Sequence, residues 1–114
     1  MPPEPISEHR YEFNIICGIV EPGSRVLDLG CGEGTLLKML QEQGRIEGAG
    51  VEVSEEKVYA CISKGLAVHH GDIDEGLADF PDKSFDYVIL SETLQEVHKP
   101  ALVFQEMLRV GHKC

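Results

Sequence analysis

The run Val26-Leu27-Asp28-Leu29-Gly30-Cys31-Gly32-Glu33-Gly34 constrains the fold of this chain more than any other stretch. Residues 25–29 read as a short buried strand, and the glycines that follow at alternate positions allow a tight turn that brings backbone close to a ligand. Leu36, Leu37 and Leu40 then recur at helical spacing, which predicts a helix over residues 35–43 with Gly44 as its stop. A strand that turns sharply into a helix is the opening unit of a parallel α/β fold.

The remaining sequence repeats that alternation. Ser7 is placed to cap a first helix with Phe13, Ile16, Cys17 and Val20 on one stripe, and Glu21-Pro22-Gly23-Ser24 breaks it. A second strand is expected over residues 48–53. Ser54 then caps a helix with Glu55 and Glu56 in its first turn, with Val58, Cys61 and Ile62 facing inward and Gly65 at its end. A third strand spans residues 66–70, residues 74–84 form a loop with room for one helical turn, and residues 85–90 form the fourth strand. Pro100 opens a last helix whose core face would be Val103, Phe104, Met107 and Leu108, ended by Gly111.

This pattern predicts an α/β, Rossmann-like three-layer sandwich with a parallel sheet in the order 3-2-1-4, truncated before a fifth strand. Residues 1–24 are expected to form a helix and linker, and residues 25–114 the ligand-binding domain. The fourth strand would then keep a bare apolar edge with no Pro or Lys in it, and that edge would favour self-association.

Ligands in such sheets bind beyond the carboxyl ends of the strands, where the strand order reverses. The glycine run lies there. It does not fit a dinucleotide fingerprint, because the sixth position from Gly30 is Thr35 rather than glycine. Asp28, two residues before the first glycine, would repel a pyrophosphate and attract a cation. S-adenosylmethionine (SAM) carries both an ammonium and a sulfonium, and Asp28 suits the ammonium directly or through water. Gly30, Cys31, Gly32 and Gly34 complete the first candidate segment. Glu52, about 20 residues on, suits both hydroxyls of a ribose, with Val53 beside it. Asp72 and Ile73 follow the third strand, suited to an adenine amino group and ring; a turn aspartate bonded to its own backbone is the structural alternative. Ser91 lies in the polar stretch after the fourth strand and is the last candidate.

Acidic residues outnumber basic ones 20 to 10, a net charge of −10. Such a chain is poorly suited to releasing counterions from nucleic acid or to an anionic membrane surface. No apolar run reaches bilayer length, and the first residues lack signal-peptide character, which points to the cytoplasm. The four cysteines form no CxxC pair, and neither they nor His69, His70 and His98 stand at metal-ligand spacing, so no metal site is expected. No general base or nucleophile is identifiable, and the catalytic residues stay unassigned.

The segment from Arg25 to Gly34 resembles motif I of class I SAM-dependent methyltransferases. Gly50-Val51-Glu52, Ala60-Cys61-Ile62, Gly71-Asp72-Ile73-Asp74-Glu75-Gly76-Leu77, Phe85-Asp86-Tyr87-Val88-Ile89-Leu90-Ser91 and Glu106-Met107-Leu108-Arg109-Val110-Gly111 are similar to the MetW family of methionine-biosynthesis proteins. The resemblance implies SAM as cofactor, S-adenosylhomocysteine as product and a homoserine O-acyltransferase as partner. It supplies no methyl acceptor. The alternative it leaves open is a non-catalytic, SAM-binding regulator of that acyltransferase.

Overall fold

The computed structural model describes residues 8–44, 46–90 and 97–114, and side chains from residue 12 onward. Ser7 lies outside the described residues. The elements run α1 (Glu8–Ile19), β1 (Arg25–Leu29), α2 (Thr35–Gly44), β2 (Glu47–Glu52), α3 (Glu55–Ser63), β3 (Ala67–His70), a 3₁₀ turn (Ile73–Glu75), β4 (Phe85–Leu90), α4 (Pro100–Val110) and β5 (Gly111–Lys113). The sheet is parallel in the order β3-β2-β1-β4-β5.

Period-two alternation in β1 sorts the core into two layers. Val26 packs on one face with Phe13, Val20, Leu36, Leu37, Leu40, Cys61 and Leu66. Leu27 and Leu29 pack on the other with Val51, Leu77, Val88, Val103, Met107 and Val110. Helices α1, α2 and α3 therefore cover one side and α4 the other, which is the three-layer sandwich expected from the pattern. Removing the Leu27 side chain to alanine would leave a cavity costing about 2–5 kcal/mol.

Local signals act where the sequence put them. Ser54 caps α3, its hydroxyl accepting from the Lys57 N–H at 3.4 Å, with Glu55 and Glu56 in the first turn. The loop after β3 contains the one expected helical turn. The second strand starts and ends one residue earlier than expected, at Glu47 and Glu52, and the third starts at Ala67.

Three expectations are corrected. First, the sheet has a fifth strand: Gly111 pairs with Phe85 and Lys113 with Tyr87, so that part of the β4 edge is covered. A three-residue strand carries no periodicity of its own, and Gly111 both ends α4 and begins β5. Second, Ile62 is exposed, because α3 lies over β3 at the sheet edge and has no further strand to cover. Third, Phe104 and Leu108 are exposed, the latter at 66 %; Val103, Met107 and Val110 make the buried stripe of α4 instead.

The loop after β3 is fastened to α4 by charge. Arg109 donates to Glu106 at 2.6 Å, to Asp82 at 2.8 Å and to the carbonyls of Leu77 and Phe80, while Glu106 accepts the Leu77 N–H at 2.9 Å. At the amino ends of β1 and β4, Arg25 pairs with Asp86 at 3.1 Å.

Candidate functional site

The three glycines after β1 all adopt left-handed backbone angles, with φ of 67° at Gly30, 59° at Gly32 and 86° at Gly34. A side chain is strained in that region, which accounts for the alternate glycines. The turn is bound to β2 through its amides. The N–H groups of Gly30 and Cys31 both donate to the Val51 carbonyl, at 2.7 and 3.0 Å. Gly32 N–H donates to Glu52 Oε1 at 2.9 Å, and Gly34 N–H to the Cys31 carbonyl. All four amides are therefore directed at protein acceptors rather than outward.

Glu52 ends β2 and is 5 % exposed. Its second oxygen accepts the Ser54 N–H at 2.7 Å. Two backbone donors on opposite oxygens hold the carboxylate in one orientation, and each oxygen keeps further lone-pair capacity for a ligand hydroxyl.

A cavity of about 150 Å³ lies against this carboxylate at the carboxyl ends of β1, β2 and β3. Of the residues singled out in the sequence, Gly30, Gly32, Glu52, Val53, Asp72 and Ile73 line it. Val53 is 61 % exposed, an apolar side chain left at the cavity where a flat ligand ring can cover it. Asp72 caps the 3₁₀ turn, one oxygen accepting the Asp74 N–H at 2.9 Å; the turn-aspartate geometry is present, and its second oxygen has no such backbone donor among the described bonds.

Three of the singled-out residues stand behind the cavity. Asp28 is 2 % exposed inside β1, in register with Gly50 and Ile89. Cys31 is buried, its sulfur 3.9 Å from that of Cys61. Burial, followed by the neighbouring Cys61 and the charge of Asp28, pushes its thiol well above the ordinary cysteine value. Gly34 faces Leu66 and Cys61, so it serves the packing of the turn on α3 and β3. Ser91 lies outside the described residues.

The sequence reading missed Lys57, Asp74 and Val97, which also line the cavity. Asp74 had a local signal, two residues after Asp72 in an Asp-Ile-Asp run. Val97 had none, since it arrives from beyond β4 through tertiary packing. Three carboxylates and one amine thus surround the space. Among the described residues no helix is long and apolar enough to cross a membrane.

Comparison with known proteins places the chain in one family by sequence and beside methyltransferases by fold. The family model "Methionine biosynthesis protein MetW" matches residues 10–114. The bifunctional methionine biosynthesis protein MetXA/MetW of Rhodopirellula baltica is 43 % identical over 104 residues, 84 % of this chain and 17 % of that protein. A demethylmenaquinone methyltransferase of Bacillus cereus is 34 % identical over 80 % of this chain and 41 % of its own length. Among solved structures, a chain of the complex between the Haloferax volcanii Trm112 methyltransferase activator and a methyltransferase superposes with a TM-score of 0.76 at 29 % identity, over 88 % of this chain and 47 % of that one. A SAM-dependent methyltransferase from Archaeoglobus fulgidus gives 0.73 at 28 % identity, over 87 % and 46 %. The chain spans less than half the length of each of these relatives. With the family model matching nearly its whole length and a MetW-bearing relative 43 % identical over most of it, the chain belongs to the MetW family of methionine biosynthesis proteins.

Proposed function

We propose that the cavity binds SAM and that the domain serves methyl transfer. The observation that carries this reading is the direction of the turn amides. A phosphate-binding glycine loop offers its N–H groups to the ligand. Here those of Gly30, Cys31 and Gly32 are taken up by Val51 and Glu52, and the wall is acidic, with Glu52, Asp72 and Asp74 facing a single Lys57. Such a wall favours a cationic nucleoside over a pyrophosphate.

In this reading Glu52 accepts from the ribose hydroxyls, Asp72 from the adenine amino group, and Val53 and Ile73 cover the ring. Asp28 supplies negative charge toward the methionine ammonium from within β1, Gly30 and Gly32 line the cavity beside it, and Cys31 and Gly34 pack the turn from behind. When bound, SAM supplies an electrophilic methyl group and S-adenosylhomocysteine is the leaving thioether. This chain's own residues orient it and keep phosphate-bearing competitors out. The structural relatives named as SAM-dependent methyltransferases support the cofactor assignment. Titration calorimetry with S-adenosylhomocysteine and with NAD tests it: micromolar-range binding of the former and none of the latter is expected, and tighter NAD binding would reverse the assignment.

A second reading has its own support. One relative carries MetXA and MetW in a single bifunctional name. The chain would then use its SAM site to modulate a homoserine O-acyltransferase. Co-purification with such an acyltransferase, without methyl transfer to any acceptor, would favour it. Self-association through the β4 edge loses its original basis between Phe85 and Tyr87, where β5 pairs.

A further inference from the structure

The sharpest unexplained contact at the cavity is a carboxylate that caps a helix from another segment. Lys99 is the N-cap of α4 and makes no side-chain cap of its own. Its N–H donates instead to Asp74 Oδ1 at 2.8 Å, and the His98 N–H donates to both oxygens of Asp74, at 3.0 and 3.2 Å. These donors stand 24 and 25 residues away in sequence. Asp74 and Val97 both line the cavity, together with Ile73 and Val53.

From this we infer that Asp74 is a positioning residue of the cofactor site: its carboxylate holds residues 97–99 against the 3₁₀ turn, so that Val97 forms a wall of the slot for the ligand's base. The inference rests on the SAM reading above. The arrangement is polar where it joins two pieces of chain and apolar where it faces the ligand. Charge-assisted bonds to backbone donors favour the ionised form, and the Lys99 and His98 amides accordingly hold the Asp74 carboxyl below its ordinary value. Val97 itself packs against the core beneath α4, and the bonds from His98 and Lys99 to Asp74 are the polar tie described next to it. The Arg109 clamp fastens the same loop near the far end of the helix, at Leu77 and Phe80, away from the cavity lining.

The two fastenings can be separated by experiment. Asp74→Ala, Asp74→Asn and Arg109→Gln are compared with the parent chain for three readouts: amide hydrogen exchange at His98 and Lys99, melting temperature, and calorimetric affinity for S-adenosylhomocysteine and for 5′-methylthioadenosine. Asp74→Ala should speed exchange at both amides and weaken both ligands by the same factor, roughly 5- to 20-fold, because both carry the base. Asp74→Asn keeps one carbonyl acceptor and should fall between parent and alanine. Arg109→Gln should lower the melting temperature while leaving both affinities within about twofold of the parent, since it removes no cavity wall. Unchanged affinity in Asp74→Ala, with the parent binding normally, would overturn the inference alone. Equal weakening by Arg109→Gln would overturn it too, as a general loosening. If the parent chain binds neither nucleoside, the SAM reading falls and this inference with it.

Discussion

Gly32 donates its backbone N–H to Glu52 Oε1 at 2.9 Å, across twenty positions of sequence. The bond joins the glycine turn to the end of β2 and aims the carboxylate at the cavity. Glu52→Ala removes the acceptor for both Gly32 and Ser54 and the proposed contact to the ribose. Affinity for S-adenosylhomocysteine should fall about 10- to 100-fold, roughly 1.5–3 kcal/mol. Calorimetry on both proteins checks this, and an unchanged dissociation constant would remove Glu52 from the site.

Gly32 and Gly34 should separate into a ligand role and a packing role. Gly32 lines the cavity at φ 59°, so Gly32→Val should abolish binding. At Gly34, φ is 86° and a Cβ would run into Leu66. Gly34→Ala should therefore destabilise the fold, by about 1–2 kcal/mol for the backbone and about 1–3 kcal/mol for the overpacking. Urea unfolding measures the second effect; wild-type stability in that variant would mean that Leu66 moves aside freely.

Cys31 sits in the glycine turn yet should behave as a small apolar residue. It is buried beside Cys61, and burial raises its thiol, which keeps it protonated at neutral pH. A maleimide reagent at neutral pH should label exposed Cys114 first and Cys31 among the last, with sites read by mass spectrometry. Cys31→Ala should keep S-adenosylhomocysteine affinity within about threefold, under 1 kcal/mol. Preferential labelling of Cys31 would show a reactive thiol instead.

Acid should loosen the sheet through Asp86. Arg25 bonds it through side chain and backbone and holds its carboxyl down at about 2, against an ordinary 3.8. A carboxyl depressed on folding contributes stability above its unfolded value, and that contribution disappears as pH falls through the folded one. Stability should thus decline between pH of about 4 and about 2, and Asp86→Asn should flatten that part of the profile. Because the pair is exposed, salt should shrink the effect. A variant with the parent's acid profile would assign the decline to other carboxylates.

Much of this protein was readable from its residues taken in order. Apolar alternation and helical spacing located four strands and four helices, because each buried face must repeat with its own period. A tight turn was implied by Gly30, Gly32 and Gly34, since glycine enters the left-handed region at no steric cost. Glu52 was visible as an acid at a strand end. What the sequence did not carry depends on partners far apart in the chain. β5 exists through its pairing with β4, not through any pattern in Gly111–Lys113. Ile62, Phe104 and Leu108 have the right spacing for a core but find no neighbouring surface to cover them. The direction of the turn amides toward Val51, and the meeting of Asp74 with residues 97–99, were decided only when the sheet assembled, because hydrogen-bond partners 20 or more residues apart leave no local periodicity to read.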